Sequence, residues 1–373
     1  MIECRDYRPA DVEKALRRGV TLLGGMRRFA AQGENILIKP NLLVGEHPDR
    51  CVTPHPAVFR AAARLIQETG ATLSFGDSPS FGSLRRAASR SGLLAVAREL
   101  SIPLADFHTA VTVSYPRGLI VKQVAIAKAV LESDGVISLC KMKTHALTRI
   151  TGAIKNQFGC VPGLRKPEFH VKMPNPEHFS TMLADICSFV RPRLYIMDGI
   201  MAMEGNGPRG GDPRPMNLLL LSSDPVAMDA VFSRLIGLDP GQVPFLEPAA
   251  RAGLGTYQES EIEIVGATIA EFKNLDFKVN RQPSANRVQS FPAFLKNRIS
   301  PRPVIDYSIC SNCGICLNIC PVPDKAVCRP HDDPGRQPRF VYARCIRCYC
   351  CQETCPEKAI RIKFPLLGKI LYR

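Results

Sequence analysis

The sequence predicts an α/β protein with a mostly parallel sheet and helices on both faces, followed by a small α+β module. Three observations lead to this class. Short apolar runs alternate with helical periodicities over about the first 270 residues. A polar segment rich in Arg, Ser, Asn and Pro then interrupts the pattern. Beyond it, eight cysteines repeat one spacing twice.

The elements of the large domain follow from apolar runs of strand length and from amphipathic stretches between them. Apolar runs predict strands at 35–39, 72–76, 135–139, 194–198, 217–222 and 262–265. Helical periodicity predicts helices at 56–69, 84–100, 178–190 and 226–236. We therefore expect a large domain over 1–279, a linker over 280–303 with a short apolar patch at 291–295, and the small module over 304–373.

The cysteines of the module form two runs with the same spacing, and each run ends in proline. In such a run the first three thiolates hold one cubane iron–sulfur cluster, and the fourth holds the other cluster. The sequence thus predicts two 4Fe-4S clusters in a ferredoxin-like module. The expected ligands are Cys310, Cys313, Cys316 and Cys355 for one cluster, and Cys345, Cys348, Cys351 and Cys320 for the other.

Two other roles for these cysteines fit less well. Zinc needs only four ligands, so a third cysteine followed by a fourth before proline is superfluous for it. Disulfides need an oxidising compartment, whereas the chain opens without an apolar signal segment, so we expect a cytoplasmic protein. One choice stays open, because Cys350 adjoins Cys351 and either thiol could be the third ligand; the spacing favours Cys351.

The charge of the chain is +15, and residues 281–373 hold 16 Lys and Arg against 6 Asp and Glu. Basic side chains around two clusters offset the negative charge of the thiolates. The same surface suits an acidic electron-transfer protein as a partner. We do not expect nucleic acid, because Trp is absent and no reading motif occurs. No apolar run approaches the length of about 20 residues that a transmembrane segment needs.

Polar residues of the large domain concentrate after predicted strands, where open α/β sheets bind ligands. Three lysines, a histidine and nearby amides would converge on a carboxylate or phosphate. The expected binding residues for an anionic small molecule are Lys39, Asn41, Lys141, Lys143, Lys155 and Asn156. The candidate catalytic residues are Lys143, His145, Glu204, Asp77 and Asp198, with the acidic ones handling protons or a cation; Glu204 lies on an expected glycine-rich loop. The lysines could also form an ordinary solvated basic loop, and the carboxylates could also form simple ion pairs with them.

Common nucleotide and hydrolase motifs do not support other functions. The string G-x-G-x-x-G at Gly205, Gly207 and Gly210 does not open a predicted helix, so NAD is not supported. A P-loop, a G-x-S-x-G elbow and an H-E-x-x-H zinc motif are all absent from the sequence.

The order of these motifs resembles the domain of unknown function 362 family. The resemblance is carried by 39–41, 76–78, 141–145 with 152–156, 204–208 and 224–229, and several members of that family carry a C-terminal pair of 4Fe-4S motifs. It implies an iron–sulfur protein and supplies no reaction.

The expected function is an iron–sulfur oxidoreductase that relays low-potential electrons to an anionic substrate or cofactor in the large domain. The alternative is a non-enzymatic electron carrier or cluster-transfer protein with a large docking domain. A third hypothesis is a transferase or ligase whose clusters are structural.

Overall fold

The computed structural model describes residues 1–163, 165–282 and 298–365, so residues 283–297 of the predicted linker and 366–373 of the predicted module lie outside the described part. The strands are β1 Ile2–Glu3, β2 Asn35–Pro40, β3 Thr72–Phe75, β4 Ala110–Ser114, β5 Gln123–Ala127, β6 Gly135–His145, β7 Arg149–Ile150, β8 Leu194–Glu204, β9 Asp212–Ser222, β10 Arg302–Ile305, β11 Val327–Cys328, β12 Arg339–Phe340 and β13 Ile360–Lys363. The helices are α1 Pro9–Leu22, α2 Pro56–Gln67, α3 Leu84–Arg90, α4 Leu93–Glu99, α5 Lys128–Leu131, α6 Gly152–Asn156, α7 Arg165–Lys172, α8 Pro176–Val190, α9 Pro225–Leu235, α10 Leu246–Arg251, α11 Ile269–Phe272, α12 Ile315–Ile319 and α13 Cys350–Thr354.

The central sheet has the strand order β1-β9-β8-β6-β2-β3, with β7 added to the end of β6. Strands β3, β2, β6 and β8 run parallel to one another. Strands β9 and β1 close one edge in antiparallel pairings, in which Ile2 lies opposite Leu219. The predicted α/β class with a mostly parallel sheet is confirmed.

Each face of the sheet is covered by its own hydrophobic core, because successive side chains of a strand point to opposite faces. Ile36 and Ile38 of β2 pack in one core with residues of α1, α2 and α4. Leu37, between them, packs in the other core with residues of α8, α9 and α10. The predicted helices on both faces are therefore confirmed.

Two predicted elements of the large domain are wrong. Residues 262–265 form no strand, since β1 already occupies the edge of the sheet next to β9, and Ile264 is 36% exposed. Residues 84–100 form two helices instead of one. Gly92 lies between them with a φ of 75°, a left-handed conformation that ends a helix.

The small module repeats one structural unit, as its cysteine spacing predicts. Two antiparallel ladders pair β10 with β13 and β11 with β12. The short helices α12 and α13 follow the two C-x-x-C loops, and each begins after a left-handed residue, Gly314 or Tyr349. The module is thus a small α+β unit of the ferredoxin type.

Among the residues that the structure describes, no helix is both long and apolar enough to span a bilayer.

Candidate functional site

Lys39, Asp77 and Asn156 meet at the carboxyl end of β2, on the face of the sheet that α8 and α9 cover. Lys39 Nζ lies 2.9 Å from Asp77 Oδ1 and donates to Asn156 Oδ1 over the same distance. Asp77 Oδ2 accepts from the backbone N–H of Leu42 at 2.8 Å. All three predicted residues are buried together. They form a saturated ion-pair network that binds chain segments to each other.

Lys141 and Asp198 form a second buried pair on the opposite face of the sheet. Lys141 Nζ lies 2.7 Å from Asp198 Oδ2. The Tyr7 hydroxyl donates to Asp198 Oδ1 at 2.9 Å, and the backbone N–H of His55 donates to Asp198 Oδ2 at 2.9 Å. Every acceptor of this carboxylate is used inside the large domain. Lys141 Nζ also lies 3.0 Å from the Tyr7 hydroxyl oxygen, and the side chain is 1% exposed, so the ligand-binding role of Lys141 stays a prediction.

Lys143 and His145 lie in the last part of β6, which continues past the predicted end at 139 through His145. Lys143 Nζ donates to the backbone oxygen of Val52 at 2.7 Å, and burial lowers the Lys143 pKa well below its usual value. His145 Nδ1 accepts from the N–H groups of Leu147 and Thr148 at 3.1 and 3.3 Å, so the ring proton is on Nε2. Burial lowers the His145 pKa to about 4, which keeps the ring neutral near pH 7.

Glu204 belongs to β8 instead of the glycine-rich loop that we expected, and it follows Met203, which lies opposite Lys143 in the sheet. Its carboxylate accepts from the backbone N–H of Lys278 at 2.9 Å and lies 3.9 Å from the Arg214 guanidinium. Asp198 likewise lies within β8. The strand extends because β9 pairs with it along its whole length, as an antiparallel hairpin.

The tip of this hairpin holds the small module through helix α13. The Gln352 amide donates to the backbone oxygens of Asn206 and Gly207 at 2.9 and 3.1 Å. The Arg209 guanidinium donates to the backbone oxygen of Thr354. His145 Nε2 adds a contact of 2.9 Å to Glu353 Oε1, although its direction is poor for a hydrogen bond. Helix α13 is therefore fixed on the large domain.

A cavity with about 690 Å³ of empty space, partly open to solvent, lies between the large domain and the module; we call it the interdomain cavity. The large domain contributes Asn41, Thr151, Lys155, Lys166 and His170, among others, and the module contributes Ile319, Cys350, Glu353 and Thr354. Of the predicted binding residues, Asn41, Lys155 and Asn156 line it, as does the candidate Asp77.

Helix α6 presents Lys155 to this cavity, and a buried carboxylate fixes the start of that helix. Asp229 accepts from the N–H groups of Ala153 and Ile154 at 2.7 and 3.0 Å. A Cβ on Gly152 would lie 2.1 Å from Asp229 Oδ1, so this position requires glycine. Burial raises the Asp229 pKa to about 7. These contacts explain why the motif at 152–156 begins with glycine and why the motif at 224–229 ends with aspartate.

Several polar groups of the interdomain cavity lack a partner within the part of the chain that the structure describes. Lys155 is half-buried and makes no ion pair or hydrogen bond there, and burial lowers its pKa. Thr151, only 3% exposed, has an unpartnered hydroxyl, and Asn41 Oδ1 is likewise buried without a donor. Polar atoms buried in this way are costly unless something binds them.

The cysteines of the module line two further cavities, each with four thiols. One, of about 360 Å³, is lined by Cys310, Cys313, Cys316 and Cys355. The other, of about 310 Å³, is lined by Cys320, Cys345, Cys348 and Cys351. Within the described residues, no three His, Cys, Asp or Glu side chains converge closely enough for a single metal ion. Each cavity brings together the four cysteines that one 4Fe-4S cluster needs.

Several residues of the interdomain cavity were not predicted: Thr151, Lys166, His170, Cys350 and Glu353. Glu353 lies inside the second cysteine run, so only its position against the large domain distinguishes it. Lys166 donates to the backbone oxygen of Ser78, and burial lowers its pKa to about 8. His170 stacks on Phe179 at 4.3 Å, and burial lowers its pKa to about 4. No local sequence signal marks these residues.

The fold and the two rings of cysteines define the class: an α/β protein with an appended module of the dicluster ferredoxin type. Residues 36–234 match the family described as Domain of unknown function (DUF362), and residues 302–356 match the 4Fe-4S dicluster domain. A thylakoid-associated protein of Synechocystis sp. is 38% identical over 256 residues, which cover 68% of this chain and 79% of that protein. The chain belongs to the DUF362 family, as its motifs predict.

Two solved structures are more distantly similar. The lactate racemase apoprotein from Thermoanaerobacterium thermosaccharolyticum has a TM-score of 0.41 and 11% identity, over 60% of this chain and 54% of that one. A protein from Thermotoga maritima has a TM-score of 0.38 and 10% identity, over 68% of this chain and 60% of that one. Likenesses at this level support no statement about activity.

Proposed function

We propose that this protein is an iron–sulfur oxidoreductase that reduces an anionic substrate in the interdomain cavity. The observation that carries the proposal is the position of helix α13. Cys351 on this helix lines a ring of four thiols, while Cys350 and Glu353 line the interdomain cavity. One turn of helix thus separates the wall of an expected cluster site from the wall of a polar cavity, a distance suited to electron transfer.

Two 4Fe-4S clusters fit the two rings of thiols. In this assignment Cys310, Cys313, Cys316 and Cys355 hold one cluster, and Cys320, Cys345, Cys348 and Cys351 hold the other. Their role is single-electron relay. Cys350 lines the interdomain cavity and is not part of either ring, so we assign Cys351 as the ligand.

The large domain supplies the binding groups. Lys155 attracts the anionic part of the substrate, because its ammonium group faces the cavity without a carboxylate partner among the described residues. Lys166 adds a second positive charge to the same wall. Asn41 and Thr151 orient the substrate through their buried, unpartnered oxygen atoms. The neutral His145 ring holds Glu353 at the border between the domains.

Electrons would enter on the other side of the module, from an acidic one-electron carrier in a reducing cytoplasm. Cys313 is exposed there, and Tyr307 and Ile309 are 48% and 43% exposed beside Cys310. A small apolar patch next to a cluster ligand, in a basic module, suits transient docking of such a carrier.

The same exposed face favours a second candidate function, a non-enzymatic carrier that passes electrons or clusters to another protein. A carrier needs only the Cys313 face and makes no use of the interdomain cavity. The two functions therefore differ in what Lys155 does.

The ligand assignment is tested by comparing Cys351→Ser with Cys350→Ser after anaerobic purification. We expect Cys351→Ser to lose one cluster, about half of the iron, because a serine oxygen is a poor replacement for a thiolate. Cys350→Ser should keep both clusters by native mass spectrometry and iron analysis. Loss of a cluster in Cys350→Ser but not in Cys351→Ser would show that Cys350 is the ligand.

The reaction class is tested by reoxidation of the dithionite-reduced, desalted protein, followed by cluster absorbance. The probes are small oxidised acids, namely oxo acids, enoates and nitro acids, each with and without an added hydroxyl group. We expect at least one to accelerate reoxidation in wild type and in Lys172→Met, whose lysine is 69% exposed, but not in Lys155→Met at equal iron content. Equal rates in all three proteins, or no acceleration at all, would favour the carrier.

A further inference from the structure

The polar groups of the interdomain cavity specify more than a negative charge. We propose that its ligand is a small monoanion that also carries an O–H or N–H donor, with its anionic group bound by Lys155 and Thr151 and its donor bound by Asn41. This inference rests on the proposed function only for the view that the ligand is the substrate. The binding chemistry itself follows from the charges and the unpartnered atoms of the cavity.

The charge of the wall selects a monoanion. Lys155 and Lys166 contribute two positive charges and Glu353 one negative charge. Asp77 is neutralised by Lys39 at 2.9 Å. His145 and His170 are neutral near pH 7, because burial lowers both pKa values to about 4. The sum is one positive charge, which a carboxylate balances and a doubly charged phosphate exceeds.

The acceptors of the wall select a ligand with a donor. Asn41 Oδ1 is buried and has no donor within the described residues. Glu353 Oε1 already lies 2.9 Å from His145 Nε2, the nitrogen that carries the ring proton. A plain carboxylate has only acceptor oxygens, so it would leave Asn41 Oδ1 unsatisfied. A hydroxyl or amine on the ligand supplies the missing hydrogen bond.

The remaining groups fit the same ligand. The Thr151 hydroxyl can donate to the carboxylate that Lys155 binds, since both residues line the cavity and belong to one segment of the chain. Leu43, Phe158 and Ile319 supply apolar wall for a short carbon skeleton. Binding sites of this kind combine an apolar lining with a few polar groups that fix orientation.

Anaerobic calorimetry on the oxidised holoprotein tests the inference without any electron transfer. The probes are matched pairs of equal carbon-chain length: acetate and glycolate, propionate and 3-hydroxypropionate, butyrate and 4-hydroxybutyrate, with sulfate as the doubly charged comparison. At the best length we expect the hydroxy acid to bind about fivefold more tightly than the plain acid, since one added hydrogen bond to a neutral, buried acceptor is worth about that factor.

Variants separate the two ends of the site. Lys155→Met should weaken both acids of the best pair by about tenfold or more. Asn41→Leu should remove the advantage of the hydroxy acid and leave the plain acid unchanged. Lys172→Met is the matched control and should change nothing. If Asn41→Leu fails to fold, as judged by iron content and melting curve, Thr151→Val replaces it and should weaken both acids.

Three results would overturn the inference: hydroxy acids no tighter than plain acids at every length, unchanged binding in Lys155→Met, or sulfate tighter than every monoanion. These results are separable from failure of the oxidoreductase function. If a hydroxy acid binds tightly but no acid accelerates reoxidation, the oxidoreductase proposal is wrong and the inferred binding site stands. If acids accelerate reoxidation but bind equally well with and without a hydroxyl, the oxidoreductase proposal stands and the inferred ligand class is wrong.

Discussion

The buried ion pairs at the strand ends and the interdomain cavity use the same kinds of side chains for different purposes. Lys39 and Lys141 lie within 2.9 and 2.7 Å of Asp77 and Asp198. Lys155 has no such partner within the described chain. In the two buried ion pairs, a carboxylate neutralises each lysine, and the pair stabilises the packing of distant chain segments. In the interdomain cavity, Lys155, Asn41 and Thr151 keep polar groups without a partner in the described chain, and the proposed ligand would bind these groups.

The largest expected effect comes from removing one member of a scaffold pair. Lys141→Met should lower the free energy of unfolding by about 3–5 kcal/mol, because it leaves the Asp198 charge buried without its cation. Urea denaturation of the anaerobic protein measures the change. Lys155→Met, with no pair to break, should stay within about 1 kcal/mol of wild type. If both variants lost the same free energy of unfolding, Lys155 would be a structural residue like Lys141, and the proposed difference between the two regions would be wrong.

An intermediate effect is expected at Asp229, which joins the two regions by fixing the helix that carries Lys155. Its pKa is raised by burial to about 7, from an unfolded value near 3.8. The folded state therefore keeps a proton that the unfolded state loses, and this contribution to stability falls as pH rises. Between pH 5.5 and 7.5 the fall is about 2 kcal/mol.

Comparison with Asp229→Asn isolates that contribution, because other groups titrate equally in both proteins. The free energy of unfolding of wild type minus that of the variant should fall by about 2 kcal/mol from pH 5.5 to pH 7.5. Wild type is thus relatively more stable at the acidic end of this range. A difference that does not depend on pH would show that Asp229 is ionised throughout.

The smallest effect is expected at the contact between the hairpin tip and helix α13. Gln352→Ala removes hydrogen bonds to Asn206 and Gly207 in a side chain that is 2% exposed. We expect a loss of about 1–2 kcal/mol, with iron content unchanged. The same variant should weaken ligand binding in the interdomain cavity, whose wall includes the next residue, Glu353. Unaltered binding would mean that the cavity holds its shape without this contact.

The difference between what the sequence predicted and what it did not lies in the range of the interactions. The cysteine rings depend on spacings of two or three residues, and the central strands depend on local apolar runs. Pairing of the lysines is long-range: Lys39 and Asp77 are 38 residues apart, and Lys141 and Asp198 are 57 apart. Their sequence could suggest an anion receptor, but it could not show that carboxylates already occupied them.

The remaining misses have the same physical origin. Glu353 joins the cavity only because the hairpin tip holds α13 against β6, and its neighbours in sequence are cluster ligands. The predicted strand at 262–265 has the right composition, yet the two-residue strand β1 occupies the edge beside β9. Edge positions and domain contacts are decided by competition between distant segments, which a local pattern does not contain.

The pairing of Ile2 with Leu219 also sets an order of events during synthesis. Strand β1 leaves the ribosome long before β9 exists, so its backbone donors and acceptors have no sheet partner while most of the large domain is being translated. The early strands can assemble on their own helices, but the edge of the sheet closes only after the β8–β9 hairpin has emerged. Such distant closure slows folding and leaves an open edge to be protected in the nascent chain.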